Sequence, residues 1–389
     1  MSAESYLKRG VSPTKEDVHK AIAGQSKGIF PGAFCKIIDD CIGDKEYCTI
    51  MHADGAGTKS ALAYIKYKET GDYSCFQGIS QDSIVMNIDD CICVGATDGF
   101  VVSNTIGRNA HRVDGKVLKE IIDGYQNFAD TMTRYGVNIV LTGGETADVG
   151  DLVATIIADS TVFVRMRKSD VIDCSNIKCG DVIVGFSSTG KAVYEKAENS
   201  GIGSNGLTAA RHMLLSKYYA DKYPETYSNT IEKSNVYSGK YRYEEHIPGS
   251  SLTVGEALLS PTRTYAPVIR DVLDNFKLSI RGIVHCSGGG QVKCRSFGKG
   301  IHFVKDSLFD TPPLFAAIQE SGNVAWKEMY QIFNMGHRME LYCDKSVAEE
   351  IIAISNNYGI DSKIVGYVES SGSAENKVTI KTKTDTFVY

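Results

Sequence analysis

The sequence predicts a mixed α+β (α/β mixed) protein of two domains, and three observations lead to this prediction. A chain of 389 residues exceeds what a single hydrophobic core usually holds. Strand-like and helix-like segments alternate in both halves, but at irregular intervals that do not suit a doubly wound parallel sheet. A polar stretch near 165–180 separates the halves, so we expect domains over 1–168 and 169–389.

The composition excludes several classes of function. With 42 Lys and Arg against 47 Asp and Glu, the net charge of −5 lacks the basic excess that nucleic acids and anionic membranes attract. No segment reaches the ~18 apolar residues of a membrane helix, and the N-terminus lacks the pattern of a secretory signal. Eleven cysteines without any CxxC pair predict reduced thiols and no zinc site. We therefore expect a cytoplasmic protein.

The order of elements follows from hydrophobic periodicity, caps and breakers. In the N-terminal half we expect helices over Pro13–Ile22, Ser80–Val94 and from Asp114 to the stop at Gly136, and strands over Cys48–His52, Phe100–Thr105, Val137–Leu141 and Leu152–Val164. In the C-terminal half we expect strands over 181–186, 282–285, 339–342 and 363–368, and helices over 206–219, 262–275, 312–321 and 346–358. Residues 220–248 are rich in tyrosine and charge without clear periodicity, which indicates a surface excursion or insertion.

Glycine is unusually frequent, at 38 of 389 residues against a usual share of about 7%. The first glycine-rich loop, Asp54 to Lys59, follows a strand. Its glycines let the backbone approach a ligand, its amides suit phosphate oxygens, and a carboxylate and a lysine suit Mg²⁺ and phosphate. The alternative for this loop is a tight turn with a solvated aspartate and lysine.

Two further segments carry carboxylates. Asp82 and Asp89 are seven residues apart on a predicted helix and so share a face, with Asp90 at its margin. The segment that follows is apolar, and buried carboxylates are costly, which indicates a metal or lysine partner. The alternative is a solvated helix face, which this segment taken alone would favour. Glu145 follows two glycines at the carboxyl end of a predicted strand, where ligands often bind, although a bend with a surface glutamate is the alternative.

The glycine loops of the second half are weaker signals. Gly185 to Ala192 nearly matches a phosphate-binding P-loop, but Ala192 replaces the hydroxyl that would bind Mg²⁺. Gly201 to Gly206 matches GxGxxG without a strand directly before it. Cys286 to Gly290 follows a strand and is either an anion loop or a turn.

Taken in order, these motifs resemble those of one family, the phosphoribosylformylglycinamidine cyclo-ligases, or aminoimidazole ribonucleotide synthetases. The matching segments are Asp54-Gly-x-Gly-Thr-Lys59, the Asp89-Asp90 helix ending in Gly-Ala, Gly143-Gly-Glu-Thr146, Ser204-Asn-Gly206, Pro261-Thr-Arg-x-Tyr265, Gly288-Gly-Gly290 and Phe333-Asn-x-Gly336. The early segment Phe30 to Phe34 is also similar, so the resemblance spans nearly the whole chain.

The resemblance implies a fold and a reaction. It implies an N-terminal ATP-binding and dimer-forming α+β domain, a C-terminal α+β domain that completes the active-site cleft, and a homodimer. In this family the γ-phosphate of ATP is transferred to the formamide oxygen of a ribonucleotide, and the amidine nitrogen then closes the imidazole ring. Such phosphoryl transfer depends mainly on positioning and charge neutralisation.

Motif by motif, the resemblance also implies roles for individual residues. The implied catalytic residues are Asp54, Lys59, Asp90 and Glu145, and the implied Mg²⁺ ligands are Asp54, Asp90 and Glu145. The implied nucleotide-binding residues are Gly55, Gly57, Thr58, Lys59, Asp82, Gly143, Gly144 and Thr146. The implied substrate-binding residues are Ser204, Asn205, Gly206, Gly288, Gly289 and Gly290.

Several departures from the family lie on the substrate side. About ten extra residues precede Ser204, and Gly203 stands where the family has histidine. Asp89 replaces an asparagine, and the segments 291–295 and 336–338 differ from the family's. Two alternatives therefore stay open: a divergent ATP-dependent kinase or synthetase of the same superfamily, and a catalytically silent nucleotide-binding protein.

Overall fold

The computed structural model of this chain describes residues 8–9 and 16–389. The predicted start of the first helix, at Pro13, lies outside the described residues. The first half contains α1 (Glu16–Ile22), β1 (Ile38–Asp39), β2 (Tyr47–Gly55), α2 (Lys59–Thr70), α3 (Gln77–Ile92), β3 (Phe100–Arg108), α4 (Gly115–Arg134), β4 (Ile139–Asp148) and β5 (Ile156–Arg167). No helix among the described residues is both long enough and apolar enough to cross a bilayer.

The five strands of the first half form one sheet, in the order β1-β2-β5-β3-β4. All neighbours are antiparallel except β3 and β4. One face of the sheet is covered by α3, which contacts β2 and β5, and by α4, which packs on α3. Asp114 caps α4 as expected, because its carboxylate accepts the amides of Lys116 and Val117.

The opposite face of this sheet carries an apolar row across four strands. Met51 pairs with Phe163, which pairs with Val101, which pairs with Val140. Paired residues point to the same side of a sheet. Met51 and Val140, at the two ends of the row, are 68% and 56% exposed. The row is therefore a hydrophobic surface of the first domain.

The second half is built on a larger sheet. Its elements are β6 (Val182–Ser187), β7 (Thr189–Gly190), β8 (Asn199–Ser200), α5 (Leu207–Leu214), α6 (Lys217–Lys222), α7 (Val254–Leu259), α8 (Ala266–Phe276), β9 (Ile280–His285), β10 (Ile301–Lys305), α9 (Pro313–Gly322), α10 (Trp326–Ile332), β11 (His337–Cys343), α11 (Ala348–Asn357), β12 (Ser362–Ser370), β13 (Lys377–Lys381) and β14 (Thr386–Val388). Seven strands run in the order β14-β13-β10-β12-β6-β11-β9, and β7 pairs with β8. Every residue of β6 and β11 is buried, so both faces of this sheet are covered at its centre.

The predicted mixed α+β fold in two domains is confirmed, whereas several predicted boundaries are wrong. Ser80 is not a helix cap, because its hydroxyl donates to the carbonyl of Ile121 inside the packed helix pair, and α3 begins at Gln77. The helix expected from 262 begins at Ala266, and the one expected over 206–219 is divided into α5 and α6. The strand expected to end at Leu141 continues to Asp148, past an irregularity where Gly143 has a positive φ.

Residues 220–248 are more than the surface excursion that their composition predicts. Tyr237, Tyr241 and Tyr243 are buried. The ring of Tyr243 packs edge-on against Tyr219, and its hydroxyl donates to the carbonyl of Leu62 on α2. Tyrosine suits this position because its ring fills apolar space while its hydroxyl bonds to backbone. The segment therefore attaches the second domain to the first.

Candidate active site between the two domains

Helix α3 presents two fully buried aspartates to the second domain. Asp82 and Asp89 share a face, as their spacing predicts, and each binds the backbone of the segment before α8. Asp82 Oδ1 accepts from the amide (2.8 Å) and the hydroxyl (2.5 Å) of Thr262. Asp89 Oδ1 accepts from the hydroxyl of Thr264 (2.6 Å) and the amide of Tyr265 (3.3 Å). These bonds hold residues 262–265 out of the helix that local pattern predicts.

Lys59 is the cationic partner of Asp82, which confirms that a buried carboxylate on this face has a lysine partner. Its Nζ lies 2.8 Å from Asp82 Oδ1 and donates also to the carbonyls of Ser260 (2.5 Å) and Gly203 (3.3 Å). Burial lowers the pKa of Lys59, while Asp82 raises it. The side chain is wholly buried, so the structure places its amine against protein atoms of both domains rather than at an open phosphate site.

Asp90 binds two imidazoles. Its Oδ1 lies 2.7 Å from Nδ1 of His285, and its Oδ2 lies 3.2 Å from Nε2 of His52. Burial raises the pKa of Asp90, but its bonds with His285 and His52 outweigh this and hold the pKa well below its usual range. Sequence reasoning gave neither histidine a role, because the three residues are brought together only by the fold.

His52 carries a proton on each ring nitrogen. Its Nδ1 lies 2.9 Å from Oδ1 of Asn87, whose amide orientation is fixed by donation to three carbonyls. Those carbonyls belong to Asp54, Ser83 and Ser160. Since Asn87 presents an acceptor on one side and Asp90 an acceptor on the other, both ring nitrogens donate. Burial opposes this charge, yet the bond to Asp90 raises the pKa of His52 to about 9.

Asp159 belongs to the site although no sequence motif marks it. It pairs with Gly55 across β2 and β5, and a Cβ built on Gly55 would lie 1.6 Å from Asp159 Oδ1. Gly55 is therefore required there because the carboxylate occupies the space of a side chain. Burial raises the pKa of Asp159, and the negative charge of Asp54 raises it further. Two neighbouring carboxylates whose negative charges repel each other are suited to bind a cation.

The three carboxylates predicted to bind Mg²⁺ do not gather into one cluster. Glu145 pairs with Thr105, which pairs with Asp159, whereas Asp54 pairs with Ser160. Register therefore places Glu145 on the face of Asp159. Asp54 pairs with the next residue along β5, but its charge raises the pKa of Asp159, so these two carboxylates are neighbours at the end of β2. In the part of the chain that the structure describes, no group of three or more His, Cys, Asp or Glu residues could hold a metal ion.

The predicted nucleotide loop meets the predicted substrate loops of the second domain. The hydroxyls of Thr58 and Thr208 lie 2.9 Å apart, and a Cβ on Gly288 would lie 3.6 Å from Asn205 Oδ1. Gly206 precedes α5 with a φ of 84°, and no side chain caps the helix. The first amides of α5 therefore lie uncapped next to the contact between Thr58 and Thr208. The loops that sequence placed far apart therefore converge between the domains.

The extra residues before Ser204 are fixed against this site. Glu195 pairs with the buried Arg263, with Nε at 2.9 Å and Nη2 at 2.5 Å. Asn334 donates to the carbonyl of Gly201 (2.7 Å), and β7 pairs with β8. Residues 199–203 are buried. The insertion is a packed part of the second domain.

Buried hydrogen bonds explain the residue at position 291, where the sequence departs from the family pattern. Gln291 is buried and donates to the carbonyls of Asn334 (2.5 Å) and His337 (2.9 Å), while Lys305 donates to its side chain. Glu340 accepts from Lys305 and bonds His337 Nε2 at 2.8 Å. This network connects the triple-glycine loop to the loop before β11.

Comparison with known proteins agrees with this architecture. The family described as AIR synthase related protein, N-terminal domain, matches residues 35–163, and the corresponding C-terminal domain family matches residues 178–378. The phosphoribosylformylglycinamidine cyclo-ligase of Methanococcus vannielii is 32% identical over 330 residues, covering 84% of this chain and 79% of the relative. The cyclo-ligase of Methanococcus maripaludis is 30% identical over 375 residues, covering 94% and 93%.

Solved structures share the fold at low identity. Thermotoga maritima PurL complexed with FGAR has a TM-score of 0.57 at 14% identity, covering 97% of this chain and 49% of PurL. This chain thus spans about half the length of PurL. HypE in the HypE–HypF complex has a TM-score of 0.55 at 15% identity, covering 96% of this chain and 98% of HypE. These likenesses bear on the fold alone.

Proposed function

Because this chain belongs to the AIR synthase related family, we propose that it closes the imidazole ring of aminoimidazole ribonucleotide in the cleft between its two domains. It is an ATP-dependent ligase of purine biosynthesis, and its substrate is formylglycinamidine ribonucleotide. The observation that best supports this location is the contact of Thr58 with Thr208, which joins the nucleotide loop to the substrate loop.

The proposed reaction has two steps. The formamide oxygen of the ribonucleotide attacks the γ-phosphorus of ATP and releases ADP. The amidine nitrogen then attacks the activated carbon, the phosphate departs with the former formamide oxygen, and loss of a proton from nitrogen completes the ring. The chain's task is to align the two substrates and to stabilise the oxyanions that develop.

Backbone amides are the proposed phosphate ligands. The amide of Gly55 already donates to Asp54 Oδ1 (2.7 Å), so those of Gly57 and Thr58 are the proposed ligands from this loop. They lie beside the start of α5, where the first amides and the helix dipole favour an anion. The exposed residues Gly143, Gly144 and Thr146 lie on β4, at the edge of the same sheet, and are proposed to extend the nucleotide side. Ser204, Asn205 and Gly206, with Gly288, Gly289 and Gly290, form the proposed substrate side.

A magnesium ion fits this site with a smaller ligand set than the sequence predicts. Mg²⁺ is commonly held by one or two carboxylates together with substrate phosphates. Asp54 and the crowded Asp159 are the residues whose chemistry fits it, and Glu145 shares the face of Asp159. When bound, the ion would neutralise phosphate charge. Asp90 has both oxygens bonded to imidazoles, and its proposed part is to hold the charge of His52 beside the nucleotide loop.

The contacts of Lys59 support a positioning role in the proposed reaction. It is the first residue of α2, directly after the nucleotide loop, and its amine binds Asp82 of the first domain and two carbonyls of the second. A contact with ATP phosphate would require Lys59 to leave Asp82.

We also propose that the chain is a homodimer that buries the apolar row of the first sheet. Met51, Val101, Val140 and Phe163 form a continuous strip, and a two-fold axis would cover it with the same strip of a second copy. Sedimentation of the purified protein tests this. A concentration-independent monomer contradicts the proposal.

Turnover of purified protein with ATP, Mg²⁺ and formylglycinamidine ribonucleotide tests the function. Substrate-dependent ADP together with the aminoimidazole product is the expected result. ATP turnover without the ring product would instead indicate a divergent relative, and no turnover would indicate a silent nucleotide-binding protein. Asp54→Asn should lower kcat about 100-fold if the carboxylate neutralises phosphate charge, and unchanged turnover contradicts its role.

A further inference from the structure

Arg338 is a buried arginine of the second domain that lies against the aspartate face of α3. It is the second residue of β11 and is 2% exposed. Its Nη2 donates to the carbonyl of Arg263 and lies 3.9 Å from Asp89 Oδ2, and its guanidinium lies 5.4 Å from the centre of the Tyr265 ring. No part of the proposed function yet uses this side chain.

The charge of Arg338 is balanced incompletely. Among the residues that the structure describes, its Nε and Nη1 are buried without a hydrogen-bond partner, and so is Asp89 Oδ2 across the 3.9 Å gap. Burial raises the pKa of Asp89 to about 6, against the opposing charges of His285 and Arg338. Buried groups with unmade bonds are costly, and such groups in a native fold call for an explanation.

The two residues bind the same short segment of backbone. Asp89 binds the hydroxyl of Thr264 and the amide of Tyr265, and Arg338 binds the preceding carbonyl, that of Arg263. Arg338 also borders Gly203, since a Cβ there would lie 3.4 Å from its Nη1. Gly203 in turn accepts from Lys59. The pair therefore connects the segment bound to α3 with the loop that precedes the substrate-side residues.

Both members of the pair stand at departures from the family motifs. Asp89 replaces an asparagine, and Arg338 lies in the segment that replaces a more glycine-rich one. A buried anion and a buried cation that meet across two domains compensate each other, whereas either alone would be an unpaired buried charge.

We propose that Arg338 and Asp89 act as one charge pair that positions residues 263–265 and Gly203 relative to the nucleotide loop during the reaction. The proposal rests on the proposed cyclo-ligase function and adds a positioning pair to it. Because the pair orients both faces of the cleft, its loss should reduce the rate of the bound complex more than the binding of ATP.

The test is a double-mutant cycle in the full-length chain with Arg338→Gln, Asp89→Asn and both together. Each single variant should lower kcat at least tenfold with the KM for ATP changed less than threefold. The double variant should recover kcat to at least threefold above the better single variant, because it leaves no unpaired charge. Arg338→Lys, which keeps the charge, should retain more activity than Arg338→Gln.

Arg211→Gln is the matched control. Arg211 is another buried arginine of the second domain with an unpartnered Nε, and it donates to Thr226 and Tyr237 away from the cleft. This variant should lose thermal stability but keep kcat. If Arg338→Gln also keeps kcat, or if the effects of the two substitutions simply add, the proposal is wrong.

Thermal unfolding of the same variants separates this proposal from the proposed function. If the wild-type chain makes no ring product, the proposed function is wrong. The charge pair still predicts that the double variant loses less melting temperature than the two single variants lose together. Additive losses in melting temperature overturn the pair in that case. If Arg338→Gln does not fold, the kcat and the melting temperature of Arg338→Lys and of the double variant decide the test by the same criteria.

Discussion

Two of the junctions between the domains place charged side chains against each other, one in a buried environment and one near solvent. The buried junction consists of Lys59, Asp82, Asp89 and Arg338, whose side chains are at most 3% exposed. The brace consists of Glu69, near the end of α2, and the residues that bind it from the second domain. These are Lys222 (2.8 Å), Tyr223 (2.5 Å) and Arg242 (3.9 Å).

Solvent makes the difference between these two junctions. Lys222 is 46% exposed and Glu69 15%, so water screens their attraction and hydrates either partner if the other is removed. In the buried junction, removal of one partner leaves a charge without water. The buried junction therefore fixes geometry and tolerates little change, whereas the brace adds modest stability and tolerates substitution. Three substitutions test this contrast.

Lys59→Met should have the largest effect of the three. It leaves Asp82 buried without a cation, which should lower the free energy of unfolding by about 3–5 kcal/mol. Urea unfolding without nucleotide measures this, because no phosphate contact contributes there. Lys59→Met combined with Asp82→Asn should recover part of the loss, since neither charge then remains.

Lys66→Met, on the same helix and partly exposed, is the control and should change the free energy of unfolding by less than about 0.5 kcal/mol. A loss below about 1 kcal/mol for Lys59→Met would remove the distinction between the buried junction and the brace.

These junctions also show how far sequence could predict the structure. The seven-residue spacing of Asp82 and Asp89 and the apolar residues around them indicated a buried face with either a metal or a lysine partner, and the structure shows the lysine. Neither the identity of that lysine nor Arg338 could be predicted, because both contacts join residues far apart in the chain. The same long-range bonds explain the wrong helix start, since the aspartates hold residues 262–265 against their local preference.

The site itself was predictable to a similar degree. The motif order identified the loops around Thr58, Asn205 and Gly288, and the structure brings them together. The metal ligands were less predictable, since register decides which strand residues share a face. Asp159 is the clearest example, because its only sequence signal is a carboxylate at an outward position of an apolar strand.

The second substitution, His212→Asn, probes where the chain between Tyr223 and Arg242 of the brace is attached to α5. His212 Nδ1 accepts from the amide of Tyr237 (3.2 Å), and burial, then the charge of Arg211, lowers the pKa of His212 to about 2. The unfolded chain takes up a proton near pH 6.5 and the folded chain does not, so stability is full above 6.5 and falls as the pH drops below it. At pH 5 the loss is about 2 kcal/mol.

Asparagine can accept the same amide without titrating. Urea unfolding at pH 7 and pH 5 should therefore show a decline that is about 2 kcal/mol smaller in His212→Asn than in the wild type. His111→Asn, at an exposed position, should decline as the wild type does. An unchanged decline in His212→Asn would mean that this histidine is protonated in the folded chain, and the brace would then be anchored differently.

Glu69→Gln should have the smallest effect. Because its cationic partners are largely exposed, the expected loss of unfolding free energy is about 0.2–1 kcal/mol, reduced further in high salt. Glu69 lies ten positions after Lys59 on α2, a distance of about 15 Å along the helix, so the losses of Glu69→Gln and Lys59→Met should add. Turnover should stay at the wild-type level, because the brace does not reach the cleft loops. A fall in kcat, or a loss that fails to add, would show that the brace and the buried junction act as one unit.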